Sequence, residues 1–107
     1  RSEEARERAE WHRRYEQEQA ERRERQRQLE IDHKRWCRFQ EHANNWRERD
    51  RLWAFIDELR HRLQIEGDTT IEDRPLSEWI VWAEERALSL DPFQNGLKGL
   101  FETISSA

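Results

Sequence analysis

The apolar residues of the middle of this chain follow the spacing of an α-helix. They recur at intervals of three, four and seven, which places them on one face. This stripe consists of Trp36, Phe39, Ala43, Trp46, Trp53, Ile56, Leu59 and Leu63. Neither glycine nor proline occurs from Arg1 to Glu66, so we predict one long helix that ends at Gly67. Asn45 and Glu48 fit a capping box that would start a new helix at Trp46, but the stripe keeps helical register across Asn44-Asn45, which favours a continuous helix, with a bend as the alternative.

Two shorter helices are expected after a polar loop over residues 67–74. The second helix is predicted from Pro75 to Leu90, with one apolar face formed by Leu76, Ile80, Ala83, Ala87 and Leu90. A third is predicted to start at Asp91-Pro92, with a face formed by Phe93, Leu97, Leu100, Phe101 and Ile104. The expected fold is therefore all-α, a long charged helix that continues into a small three-helix bundle or coiled coil.

The first 35 residues are dominated by charge, with eleven basic and ten acidic side chains. Opposite charges lie three or four residues apart, as in Glu10 to Arg14 and Glu24 to Arg27, which stabilises a helix in water. The apolar row here is sparse, Ala5, Ala9, Tyr15, Ala20 and Leu29, and Trp11 is expected to lie off it. We therefore divide the chain into a charged helical stalk, residues 1–35, and a Trp-rich helical head, residues 36–107. The stalk is interpreted as a spacer or a weakly paired helix.

Composition limits the size of any core. Only 34% of the 107 residues are hydrophobic and 41% are charged, so one small domain is expected, and dimerisation would help to stabilise it. The absence of Met at position 1 suggests a fragment of a longer protein. No apolar run is long enough for a membrane span and no secretion leader is visible, while Cys37 is the single cysteine. These features predict a cytoplasmic protein without disulfides or membrane contact.

Tryptophan is unusually frequent, with six residues, and it has two interpretations. Trp36, Trp46 and Trp53 share the face of Phe39 and Ile56, which favours a packed core. The alternative is a set of stacking platforms for single-stranded nucleic acid. Trp11 and Trp82 are harder to bury in a monomer and are candidates for an intermolecular contact. The residues expected to carry packing or interaction are Trp36, Phe39, Trp46, Trp53, Ile56, Trp79 and Trp82.

The sequence gives little support for catalysis or metal binding. His33 and Cys37 are four residues apart and could present two ligands to zinc, but a site needs more ligands than one chain supplies. Adjacent carboxylates such as Glu84-Glu85 point to different sides of a helix. There is no glycine-rich phosphate loop or nucleophile elbow. We expect no enzyme activity, no cofactor and no metal.

A helical arm that contacts nucleic acid is the alternative function. The basic residues that would contact phosphate are Arg13, Arg14, Arg22, Arg23, Arg25 and Arg27. Interleaved glutamates weaken this interpretation because each nearby carboxylate repels phosphate. The net charge of −4 also lacks the excess of positive charge that is typical of nucleic-acid binding domains.

Two segments carry a resemblance to known sequences, WRERDRLWAFIDEL at residues 46–59 and LSEWIVWAEERALSLDP at residues 76–92. Together they resemble the C-terminal helical region of a group of uncharacterised bacterial proteins. The positions that match are Trp46, Arg51, Leu52, Phe55, Ile56, Trp79, Trp82, Ala83, Ala87, Leu90, Asp91 and Pro92. In that group the region follows an N-terminal helix-turn-helix-like domain, which implies a DNA-associated parent protein. Arg49 and Asp50 depart from the pattern, which has a small residue after the first tryptophan.

The function expected from these features is a non-enzymatic module for oligomerisation or partner docking within a larger, DNA-associated bacterial protein. The expected partner is a second copy of the chain or another protein. Nucleic acid would be reached through the parent protein. An enzyme subunit would need a pocket that this composition does not indicate.

Overall fold

The computed structural model describes residues 2–107, and three α-helices account for most of them. The elements in order are α1 (Ser2–Glu66), β1 (Thr70–Ile71), β2 (Arg74–Pro75), α2 (Leu76–Leu88) and α3 (Gly96–Ser105). The prediction of an all-α fold with a long N-terminal helix is confirmed. The two strands form only a small antiparallel hairpin between α1 and α2.

Helix α1 is continuous over 65 residues and sets the 95 Å length of the molecule. It passes through Asn44 and Asn45 without a break, as predicted. It ends where predicted, because Gly67 takes a left-handed φ of +84° that glycine adopts at little cost. The Gly67 amide donates to the carbonyl of Leu63 at 2.9 Å, which satisfies one of the last helical acceptors.

The segment predicted as a polar loop contains the β-hairpin. Thr70 pairs with Pro75 and Ile71 pairs with Arg74. The turn residues Glu72 and Asp73 have φ values of +53° and +60°, as a two-residue type I′ turn requires. The prediction missed this hairpin because such turns normally carry glycine or asparagine, and the Glu-Asp dipeptide gives no such signal.

Helix α2 returns along the second half of α1 and forms the main core. Ile56 of α1 is buried against Ile80 and Ala87 of α2. Partly buried side chains complete this cluster, namely Leu52, Trp53, Leu59, Leu63 and Ala83. Apart from Leu52, all of these residues belong to the predicted apolar faces of the two helices. An ion pair between Arg60 and Glu84 lies at the edge of the cluster.

Helix α3 starts later than predicted. Asp91 Oδ1 accepts a hydrogen bond from the Phe93 amide at 3.0 Å, and this contact closes a local turn. Gly96 then has a φ of +71°, which is not found in the interior of a right-handed helix, so the helix cannot extend back to Pro92 and α3 begins at Gly96. Of the predicted apolar face, Leu100 and Ile104 are buried, whereas Phe93, Leu97 and Phe101 are exposed.

Helix α3 packs on the part of α1 that precedes the α2 contact. Two polar contacts join α3 to α1: Arg35 Nη2 donates to the Ser105 carbonyl at 3.2 Å, and His42 Nε2 lies 2.7 Å from Thr103 Oγ1. Arg49 Nε lies 3.7 Å from Asp91 Oδ2, in the turn that precedes α3. Helices α2 and α3 each pack on α1 and have little contact with each other. The head is therefore a long helix with two short helices laid along it in succession, and not three helices around one shared core.

The stalk has no such cover in the structure. From Ser2 to Glu30 every residue is exposed except Gln19, which is half-buried. Two of the predicted ion pairs are present, Arg14 with Glu10 at 3.7 Å and Arg27 with Glu24 at 3.4 Å. Among residues 2–107, no helix is both long and apolar enough to cross a membrane.

Candidate interaction surface

The first half of the predicted apolar stripe lies open to solvent. Trp36 and Trp46 are 55% and 46% exposed, so the prediction that they belong to the core is wrong for the single chain. Trp53 is half-buried and Ile56 is buried, as predicted for core residues. The reason is the placement of α3. Helix α3 and the turn before it contact α1 at Arg35, His42 and Arg49. At about 100° per residue, these three positions are centred about 70° around the α1 axis from Trp36, Phe39 and Trp46, so α3 does not cover the aromatic rings.

Aromatic rings stack along the exposed side of α1. Trp36 and Phe39 are nearly parallel, with ring centroids 5.4 Å apart and an interplanar angle of 10°. Trp11 and Tyr15 in the stalk have the same arrangement, at 5.4 Å and 11°. Trp11 therefore lies on the same side as Tyr15, which corrects the prediction that it lies off the stalk's apolar row. Offset stacking of this kind is a favoured geometry for aromatic pairs.

These rings belong to one exposed row, which we call the seam. Its apolar members are Trp11, Tyr15, Leu29, Trp36, Phe39, Ala43 and Trp46. Successive members are separated by three, four, seven or fourteen residues, which is the heptad spacing of a coiled coil. On a straight helix they fall within an arc of about 140°. The large side chains of the seam are between 43% and 66% exposed, so nothing within residues 2–107 covers the row.

Four charged residues occupy the remaining heptad positions of the seam between Tyr15 and Trp36. They are Glu18, Arg22, Arg25 and Asp32. A charged residue at such a position lowers the stability of a helix pair but selects its register and orientation. The seam therefore has apolar residues at its two ends and a charged section in its middle.

The remaining predicted interaction residues are divided between the core and a second surface. Trp79 is half-buried, and its Nε1 donates to the Ile71 carbonyl at 3.1 Å. The Arg74 guanidinium lies 4.4 Å from the centre of the same ring. Trp79 thus fixes the β-hairpin onto α2. Trp82 is 47% exposed and meets the Trp79 ring edge to face at 6.0 Å.

An open apolar groove of about 920 Å³ runs between α1 and α2. Phe55, Leu59, Leu76, Trp82 and Leu90 are among the residues that line it, and its ionisable lining residues are Arg62, Glu66 and Arg86. Phe55 and Trp46 point to opposite sides of α1, since nine residues correspond to about two and a half turns. The groove and the seam are therefore separate surfaces. The sequence did not indicate the groove because Phe55 lies off the predicted stripe.

The basic residues named for nucleic-acid contact do not form one face. Arg13, Arg14, Arg22, Arg23, Arg25 and Arg27 are all exposed on α1 and are distributed around its whole circumference. Arg14 and Arg27 lie near glutamates, as described above. A linear phosphate backbone would therefore meet only some of these guanidinium groups at once, together with the carboxylates between them.

Several polar side chains of α1 contact neighbours on the same helix. The Gln28 amide donates to Glu24 at 3.0 Å, and this bond, with the positive charge of Arg27, lowers the pKa of the Glu24 carboxyl. His33 Nε2 and Cys37 Sγ are 3.6 Å apart at the surface. Within residues 2–107 no cluster of three or more His, Cys, Asp or Glu side chains could hold a metal ion.

No protein-family model, curated protein or solved structure matches this chain. Function must therefore be inferred from the surface of the molecule. The most distinctive feature of that surface is the seam, since large aromatic side chains are rarely left unpartnered in such a row.

Proposed function

We propose that this chain is a non-enzymatic helical assembly module that self-associates through the seam of α1. The observation that carries the proposal is the exposure of six large apolar side chains at heptad spacing along one helix. Burying such a row against another helix removes apolar surface from water, which is the main favourable term in protein association.

The position of the seam supports a contact between molecules. Helix α3 occupies a neighbouring side of α1 through Arg35, His42 and Arg49, and it leaves the seam free. The seam also extends into the stalk as far as Trp11, whereas the contacts of α2 and α3 lie on the second half of α1. A second chain that brings its own α1 has the length to cover the whole row.

The wider context of the module is part of the proposal and rests on the resemblance alone. A larger, DNA-associated bacterial protein would use the module to bring two copies together. Placement in the cytoplasm is likewise proposed, because the lone Cys37 is an exposed free thiol and such thiols are typical of reducing compartments.

Molar mass in solution tests the proposal directly. Light scattering over a tenfold concentration range should give a dimer for the native chain. The double variant Trp36→Gln with Phe39→Gln should be monomeric, because it removes a stacked pair from the seam. Leu97→Gln with Phe101→Gln is the matched control, since it removes a Leu-Phe pair of α3 that is at least as exposed as Trp36 and Phe39, and it should leave the dimer intact.

Two outcomes would contradict the proposal. A native chain that is monomeric at every concentration excludes self-association. A dimer that survives loss of Trp36 and Phe39 but dissociates in Phe55→Gln with Trp82→Gln assigns self-association to the groove between α1 and α2. Circular dichroism should show that each variant keeps the helix content of the native chain.

Nucleic-acid contact by the stalk remains the second interpretation, and no observation favours it over self-association. Its distinguishing property is salt dependence, because phosphate contacts release counterions. Under the assembly proposal, fluorescence anisotropy with single-stranded and duplex oligonucleotides at low salt should show no binding by the native chain.

A further inference from the structure

We infer that the second copy docks antiparallel along the seam, in the register that places Arg22 of each chain opposite Asp32 of the other. This inference rests on the proposed function and specifies its partner, its orientation and its register. The starting point is the charged middle of the seam, formed by Glu18, Arg22, Arg25 and Asp32.

A parallel pair places these charges badly. In a parallel coiled coil each seam residue faces its own copy across the interface. Arg22 would meet Arg22, Arg25 would meet Arg25, and the two acidic positions would also meet themselves. Four layers of like charge, interrupted only by the Leu29 layer, would separate the apolar ends of the seam, and like charges in contact oppose association.

An antiparallel pair removes this conflict in one register. Its two-fold axis passes near the level of Arg27, so residues equally far from that level on the two chains face each other. The facing pairs, each of which occurs twice, are Arg8–Trp46, Trp11–Ala43, Tyr15–Phe39, Glu18–Trp36, Arg22–Asp32 and Arg25–Leu29. No like charges meet within the seam, and the large Trp11 ring faces the small Ala43.

The residues that flank the seam agree with this register. Near the two-fold axis a flanking residue meets its own copy, and there the chain has the uncharged residues Gln26 and Gln28. Further out, Glu21 of one chain approaches Arg35 of the other. Charge complementarity along the edges of a helix pair is a common determinant of orientation.

Neighbouring registers are less favourable. A shift of one heptad in one direction brings Arg22 opposite Arg25 and Tyr15 opposite Asp32. A shift of one heptad in the other direction brings Trp11 opposite Asp50 and Leu29 opposite Asp32. Each shift therefore loses the Arg22–Asp32 ion pair and leaves the Asp32 carboxylate opposite an aromatic or apolar residue, in addition to the new unfavourable contact. The preferred register places one carboxylate, Glu18, opposite an aromatic ring and keeps the ion pair.

The surface available is sufficient for a specific dimer. The five aromatic side chains of the seam are each about half exposed, and together they offer on the order of 500 Å² per chain. A specific interface buries about 800 Å² per partner. Leu29, Ala43 and the aliphatic parts of the long charged side chains supply the remainder, over a helix overlap of nearly 60 Å at about 1.5 Å per residue.

A distance between two labels separates the orientations without changing the sequence. Cys37 is the single cysteine and is exposed, so it accepts a nitroxide spin label in the native chain. In the antiparallel register the two Cys37 residues are separated by about 30 Å along the helix axis. In a parallel pair they lie side by side at the same height, and the two labels are within about 20 Å of each other. Moving the label with Cys37→Ser and Arg13→Cys should lengthen the axial separation to about 42 Å.

These measurements distinguish failure of the inference from failure of the proposed function. Dimeric samples with the two longer distances support the antiparallel register. A dimer with a Cys37 distance below about 20 Å overturns the antiparallel arrangement and leaves self-association intact. If light scattering shows a monomer and the spin labels give no dipolar distance, both the antiparallel register and the proposed self-association are overturned.

Charge reversal provides an independent test of the register. Arg22→Asp should raise the dissociation constant of the dimer about tenfold, because it places two carboxylates together, and Asp32→Arg should do the same with two guanidinium groups. The double variant restores the opposite charges and should return to the native constant. Absence of this rescue contradicts the pairing of Arg22 with Asp32. Both residues are exposed, so the fold of the single chain should be retained.

Discussion

His42 on α1 and Thr103 on α3 are joined by a hydrogen bond of 2.7 Å between Nε2 and Oγ1, across 61 residues of sequence. The threonine hydroxyl has one hydrogen, which it donates to the Leu100 carbonyl at 2.6 Å. The histidine must therefore be the donor, with its proton on Nε2. Together with the bond from Arg35 to the Ser105 carbonyl and the burial of Leu100 and Ile104, this bond places α3 on one side of α1 and leaves the neighbouring side open as the seam.

Removal of this bond should loosen α3. We expect Thr103→Val to lower the free energy of unfolding by about 1 kcal/mol, because a hydrogen bond contributes about 0.5–1.5 kcal/mol net. His42→Leu should have a similar effect, and the double variant should lose less than the sum of the two. Urea unfolding followed by circular dichroism measures all three. Strict additivity of the two substitutions would show that the bond does not couple the helices.

The contact between α1 and α2 was predictable because it follows from local periodicity. Ile56, Ile80 and Ala87 lie on helical faces that the sequence itself displays, and Gly67 marks the end of the first helix. The position of α3 was not predictable in this way. The apolar pattern identifies Leu100 and Ile104 as the buried face of α3, but the side of α1 that receives this face is marked by polar contacts such as His42 with Thr103, and no hydrophobic pattern encodes such contacts.

The exposed tryptophans illustrate the same limit. Periodicity assigned Trp36 and Trp46 to an apolar face correctly, but it does not specify whether the partner of that face lies in the same chain. The start of α3 was missed for a local reason. Asp91-Pro92 carries the residues of a helix start, whereas the backbone of Gly96 decides where α3 begins.

The core between α1 and α2 offers two adjacent residues with opposite environments. Ile56 is 3% exposed in the core, whereas its neighbour Phe55 is 62% exposed in the groove. Ile56→Ala should lower the free energy of unfolding by about 2–5 kcal/mol, because it leaves a cavity against Ile80 and Ala87.

Phe55→Ala is the matched control for that substitution. It removes a larger side chain from the same helix turn, yet the cost should stay well below that of Ile56→Ala, because little buried contact is lost. Thermal unfolding of the two variants compares them directly. A greater loss for Phe55→Ala would mean that the groove is filled by another chain under the conditions of the measurement.

A glycine in place of Asp73 in the hairpin turn should increase the stability of the chain. Asp73 has a φ of +60°, a conformation that disfavours residues with a Cβ. We expect Asp73→Gly to raise the free energy of unfolding by about 0.5–1 kcal/mol, since glycine is the favoured second residue of a type I′ turn. Asp73→Ala retains the Cβ and should not stabilise the chain. Equal effects of the two substitutions in urea unfolding would exclude relief of backbone strain as the cause.

Asp68 connects the loop to the first turn of α2, which has Pro75 at its N-cap and no side-chain cap of its own. Its carboxylate accepts from the Ser77 hydroxyl at 2.7 Å and from the Ser77 amide at 3.2 Å. These bonds, the hydroxyl bond first, lower the pKa of the Asp68 carboxyl below its ordinary value of 3.8. A lowered folded-state pKa means that the carboxylate stabilises the fold fully above its unfolded pKa and loses this effect as the pH falls through the folded value.

The substitution Asp68→Asn should therefore destabilise the chain at neutral pH and have a diminishing effect in acid. The melting temperature of the native chain should exceed that of the variant at pH 7, and the difference should shrink as the pH falls below about 4. Ser77→Ala removes the hydroxyl donor. Asp68→Asn should therefore lower the melting temperature less in the Ser77→Ala variant than in the native chain. A difference in melting temperature that stays constant from pH 7 to pH 2 would mean that ionised Asp68 does not cap α2.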